Sequence, residues 1–88
     1  MNNINQKDLE NLITKYNNTD PTIIKRNLAR IIENSEYRRD SQALADKVGL
    51  NIQTIYLYRQ YLKPTNISFE IALKLANVLG VSVEDLIK

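Results

Sequence analysis

Apolar residues recur with a helical period along almost the whole chain. Leu9, Leu12, Ile13 and Tyr16 fall at i, i+3, i+4 and i+7, which predicts a short amphipathic helix over residues 5–17. Asn17-Asn18-Thr19-Asp20-Pro21 breaks that pattern. Thr19 or Asp20 is placed to cap a second helix, with Pro21 in its first turn, where a missing N–H costs nothing. This helix sets Ile24, Leu28, Ile31 and Ile32 on one face and ends near Asn34-Ser35, before a polar connection over 35–40. Asp40 or Ser41 caps a third helix carrying Leu44, Ala45 and Val48, which stops at Gly49. A fourth helix begins after Leu50-Asn51 and carries Ile52, Ile55, Tyr58 and, if it runs on, Leu62. Pro64 disfavours helical geometry at Lys63, so 63–66 read as a loop. Ser68 caps a fifth helix with an apolar stripe of Phe69, Ala72, Leu73, Leu75, Ala76 and Leu79, closed by Gly80. Ser82-Val83-Glu84-Asp85 has the form of a capping box with Asp85 in the Glu/Gln position, opening a last short helix. No stretch of any length alternates as a strand does. The fold class is all-α.

The composition removes whole classes of chemistry. The chain has no Cys and no His, so disulfides, thiol nucleophiles, zinc fingers and imidazole catalysis are absent together. Its two glycines, Gly49 and Gly80, are too far apart to build a phosphate-cradling loop. An enzyme is not expected, nor a cofactor, a metal or a small-molecule ligand. No apolar run approaches the roughly 20 residues that cross a bilayer, and Met1 to Gln6 lack the basic start and apolar core of a secretory signal. A cytoplasmic, nucleoid-associated protein without membrane contact is the expectation. At 88 residues the chain makes one domain with room for one extra element. Residues 1–19 are read as an extension helix and 20–88 as the domain proper. The net charge of +2 is small but unevenly spread. Residues 1–20 and 64–88 each carry −1, whereas 21–63 carry +4, with Lys25, Arg26, Arg30, Arg38, Arg39, Lys47, Arg59 and Lys63 as the basic side chains.

The informative stretch lies within that basic region, from Ser41 to Tyr58. Ala45 sits midway along one helix, Gly49 follows four residues on, and Ile55 and Tyr58 come next, one turn apart. Two helices that cross at a steep angle need a small residue for close approach, a glycine for the turn, and two apolar residues to seat the second helix. Leu44, Val48 and Leu50 fill the wedge between them. This region resembles the phage-repressor, or Cro-like (XRE), family of helix-turn-helix proteins. Ser68 to Leu86 is similar to that family's closing two-helix segment, and Asn27 to Glu33 to its first helix, so the resemblance covers about 65 residues. It implies a five-helix, lambda-repressor-like domain, here with an additional N-terminal helix. Three features depart from the pattern. Ser41 stands where the family often has a phosphate-touching Gln, which here is Gln42, one place later. Arg59-Gln60-Tyr61 replaces the usual Glu-x-Gly, and the connections through Arg38-Arg39-Asp40 and after the fourth helix are longer.

The resemblance implies a sequence-specific regulator, a repressor in the first instance, that binds double-stranded DNA through the major groove. In such docking the start of the second helix reaches base edges while the first helix crosses the backbone. With Ile55 and Tyr58 inward, Asn51, Ile52, Gln53, Tyr56 and Leu57 become the base-reading candidates. Gln53 suits adenine, because one amide both donates and accepts, and Ile52 suits a thymine methyl. Arg38, Arg39, Ser41, Gln42, Thr54, Arg59, Gln60 and Lys63 are the phosphate candidates. Pairing of two copies is expected from the small reading surface, through Val81, Val83, Leu86 and Ile87 or through Leu9, Leu12, Ile13 and Tyr16. The N-terminal stripe is equally open to burial against its own domain. The small size and lack of a sensor domain point to a phage, plasmid or other mobile element. Two other classes remain open: a helix-turn-helix scaffold that grips a protein, motivated by Ile52, Tyr56 and Leu57, and an architectural or partition protein.

Overall fold

The structure is a computed structural model that describes residues 6–60 and 65–88. Among these residues the secondary structure is entirely helical: α1 (Gln6–Asn17), α2 (Pro21–Glu33), α3 (Ser41–Val48), α4 (Ile52–Tyr58), α5 (Phe69–Leu79) and a closing 3-10 helix (Val83–Leu86). The expected all-α class and element order are the observed ones. Of the fourth helix's apolar positions, Leu62 lies outside the described residues, as do Tyr61 and Lys63.

Local chemistry sets the boundaries. The Asp20 carboxylate accepts from the Thr22 N–H at 2.9 Å, so Asp20, not Thr19, caps α2, and Pro21 takes its first position. Asp40 does the same for α3 through the Ala43 N–H at 3.0 Å, and Ser68 for α5 through the Ile71 N–H at 3.2 Å. Gly49 and Gly80 end α3 and α5, both at φ 73°, the left-handed conformation that glycine adopts without a steric penalty. The Asp85 carboxylate accepts from both the N–H and the hydroxyl of Ser82, so the returning half of the expected capping box is formed.

The helices enclose one core in which Leu28, Ile32, Leu44, Ala45, Ile55, Ala72, Leu75 and Leu86 are fully buried. α3 packs on α4 and α5, α2 on α4 and the 3-10 helix, and α1 on α5. Ala45 contributes only a methyl to this core, which is what lets α4 lie close against α3. The polar connection over 35–40 also contributes, since Tyr37 is buried.

Two expectations about apolar faces are corrected. Val83 and Leu86 are not a surface for a second copy: they are 4% and 0% exposed because the 3-10 helix folds onto α2. The buried Asn27 amide fastens that fold, donating to the Leu86 carbonyl at 2.8 Å and to that of Lys88 at 3.3 Å. Leu73 does not belong to the buried stripe of α5 and is 39% exposed. The N-terminal stripe takes the intramolecular alternative at its far end. Tyr16 is 3% exposed, meets Phe69 edge-on with ring centroids 5.5 Å apart, and donates its hydroxyl to the Ile67 carbonyl at 2.6 Å. Leu12 packs against the same core, whereas Leu9 remains exposed. Lys25 is the unexpected interior residue: at 2% exposure it lies inside, with Nζ donating to the Thr65 hydroxyl at 3.2 Å.

Two outcomes follow for stability. A Cβ at Gly49 would meet nothing within 4 Å, so Gly49→Ala tests the backbone alone and is expected to cost about 1 kcal/mol in denaturant unfolding; an unchanged midpoint would contradict the left-handed turn. Burial pushes the Tyr16 phenol up from 10.0 to about 12. Because the folded state favours the neutral form, its contribution is complete below pH 10 and is lost as pH rises from 10 to about 12. Tyr16→Phe should lower stability by about 1 kcal/mol at neutral pH, through the lost hydrogen bond, and flatten the alkaline limb of a pH–stability profile.

Candidate nucleic-acid interface

The candidate interface is built on α3 and α4. α4 is only 7 residues long, about 10 Å at the usual helical rise. Its start is fixed by Asn51, whose Oδ1 accepts from the Gln53 N–H at 2.8 Å. Its end comes at Tyr58, with Arg59 as the C-cap. Ile55 and Tyr58 turn inward at 0% and 5% exposure, and this fixes which face is left outside.

That outer face carries Asn51, Gln53, Tyr56 and Gln60, all exposed, with Thr54 and Leu57 half-buried beside them. Gln53, Tyr56 and Leu57 follow i, i+3, i+4 spacing and so share one side of α4, with Gln60 exposed just beyond its end. Tyr56, at 46% exposure, is the largest side chain offered there. Ile52 differs from the rest of the expected reading set: it is half-buried and packs against the core from the first turn of α4. Asn51 has a structural duty through its carbonyl oxygen, which leaves its NH2 group as the donor for any ligand.

The expected phosphate residues divide into three groups. Arg39 is exposed at the approach to α3 with no ionic partner among the described residues. Gln42 is exposed on α3, where its amide donates to the Asp46 carboxylate one turn on, at 2.9 Å. Arg38 and Arg59, the other two expected arginines, are held by partners within the chain. Glu33, at the end of α2, accepts from Arg38 Nε at 3.2 Å through one oxygen and from Arg59 Nη2 at 2.9 Å through the other. Arg59 Nη1 donates in turn to the Ser41 hydroxyl at 2.9 Å. Ser41 is 8% exposed, and its hydroxyl accepts from Arg59. The hydrogen bond from Arg59, with the charges of Arg59 and Arg38 behind it, holds the Glu33 carboxyl below its ordinary 4.5.

Sequence reasoning passed over Glu33. Its partners are 5 and 26 residues away, so no helical spacing announces the pair. Burial of Lys25 changes the charge picture as well, since one of the eight central cations is withdrawn from the surface.

Asn51→Ala is expected to remove the α4 cap at a cost of about 1 kcal/mol, lowering the melting temperature by roughly 4–8 °C. Asn51→Ser should recover most of that loss in the same thermal scan, and equal melting of both variants would contradict the capping role.

No curated protein and no solved structure matches the chain. A family model described as the Cro/C1-type HTH DNA-binding domain matches residues 27–88, from within α2 to the last residue, and leaves α1 outside. That span contains both helices of the α3–α4 unit, the glycine turn between them and the two closing helices. The chain therefore belongs to the Cro/C1-type helix-turn-helix DNA-binding family.

Proposed function

We propose that this protein is a sequence-specific DNA-binding regulator of transcription, acting as a repressor by occupying its site, with α4 in the major groove. The observation that carries this reading is the exposed outer face of α4, where Gln53 and Tyr56 stand out on a helix anchored by Ile55 and Tyr58, with Asn51 and Gln60 exposed at its two ends. Gln53 is assigned to a base edge, where an amide pairs best with adenine. Tyr56 is assigned to a base edge or, through its hydroxyl, to a phosphate, and Leu57 to an apolar contact beside it. Ile52 is left with a supporting role, because it packs against the core. Arg39, Gln42, Thr54 and Gln60 are assigned to the sugar–phosphate backbone, contacts that set affinity and salt dependence rather than sequence choice.

Binding as a pair of copies belongs to the same proposal, since one 7-residue helix reaches few base pairs. Burial of Tyr16, Val83 and Leu86 leaves Leu9 and Leu73 as the more exposed apolar side chains on α1 and α5 for such pairing. One observation favours a second reading, a protein-gripping scaffold. Tyr56 and Leu57 give the outer face of α4 an apolar patch that a protein partner would also cover.

Selection of bound duplexes from a random pool tests these readings together. A defined site is expected, with two related half-sites about one helical turn apart. Gln53→Ala should lose about 1–3 kcal/mol of discrimination at one base position, and Tyr56→Ala should alter preference or affinity at a neighbouring one. Unchanged preference in both variants would contradict the assignment of the reading face. Binding without a preferred site would favour an architectural role, and no binding even at low salt would favour the protein-gripping scaffold.

A further inference from the structure

The cluster around Glu33 joins the end of α2, the 35–40 connection, the start of α3 and the end of α4. We propose that Glu33 is a built-in competitor for the DNA backbone: its carboxylate holds, in the free protein, arginines that a phosphate takes in the complex. This rests on the DNA-binding reading above and adds to it a residue that sets affinity without touching DNA.

The chemistry of exchange is direct. A carboxylate and a phosphate both offer paired anionic oxygens to a guanidinium, and arginine binds each in the same forked manner. Glu33 uses both its oxygens, one on Arg38 and one on Arg59. The position is the relevant one, because Arg59 also bonds Ser41, the first residue of the helix that crosses the backbone in helix-turn-helix docking. The Asp40 carboxylate lies at the same helix start, but it is engaged with the Ala43 N–H as the cap.

The exposures favour exchange. The Glu33 and Arg38 side chains are 52% and 58% exposed, and ion pairs so placed in water hold their partners weakly. The Arg59 side chain, at 21%, is the better fixed. Its Nη1 remains on Ser41 while the Nη2 edge passes from carboxylate to phosphate. The displaced Glu33 carboxylate is then left beside an anion. Removing its charge therefore frees two cations and removes one repulsion.

The test is a salt titration of binding to genomic duplex fragments by the full chain and its variants. Glu33→Gln should bind several-fold more tightly at low salt. The slope of log affinity against log salt should steepen by up to about one, because both complexes carry the same phosphate contacts and only the cation taken up by the displaced carboxylate is lost. In an Arg38→Gln/Arg59→Gln background the same substitution should leave the slope unchanged. Glu84→Gln, which makes the same charge change at an exposed position of the 3-10 helix, separates specific release from general attraction and should not steepen the slope. Circular dichroism melting of each variant checks that the fold is kept. Weaker binding by Glu33→Gln, or an unchanged slope, would overturn the proposal and leave Glu33 as a residue that positions Arg59. Binding by neither the parent nor Glu33→Gln would overturn the DNA reading itself, and the proposal with it.

Discussion

The seat of α4 on α3 is the contact on which the rest of this structure depends. Ala45, Ile55 and Leu44 are each 0% exposed, and their burial fixes both the approach of the two helices and the rotation of α4 about its own axis. Rotation is the quantity that matters for recognition. A turn of about 100°, one residue's step, would carry Tyr56 into the place of Ile55 in the core and turn Ile55 toward solvent. Gly49 makes the angle possible, Asn51 starts α4 at the right residue, and Arg59 ties its end to α2 and α3.

The remaining helices serve that seat. α2 and the 3-10 helix close the core from the other side, fastened by the buried Asn27 amide on the Leu86 carbonyl. α1 adds a patch over the α5 end through Tyr16, Phe69 and Ile67. A domain of this length has little apolar surface to bury, so an added helix that covers part of the core boundary contributes directly to stability. The family match begins within α2 and so includes Phe69 and Ile67 but not α1 and its Tyr16.

Much of the fold was legible in the sequence because its signals are local. Capping residues act within three positions, as Asp20, Asp40, Asn51 and Ser68 do, and glycine at a helix end acts on its own backbone. The inward pair Ile55 and Tyr58 followed from one helical turn of spacing. What escaped was set by distance in the fold. Apolar character alone did not tell that Val83 and Leu86 face α2 whereas Leu73 faces solvent, because the direction of the closing segments depends on packing. Lys25 reads as a surface cation until Thr65 is brought beside it. Glu33 and Arg59 meet only after two helices and a turn have been placed between them. The outward side of α4 was thus foreseen more fully than its electrostatic surroundings.

The central claim is that the outer face of α4 meets DNA while the opposite side of the domain does not. Backbone amide shifts, followed by NMR as a selected duplex is added, test it most directly. The account predicts changes concentrated from Asn51 to Gln60 and at the start of α3, with α1 and the 3-10 helix little affected. Changes centred on α1 and α5, with α4 silent, would contradict it.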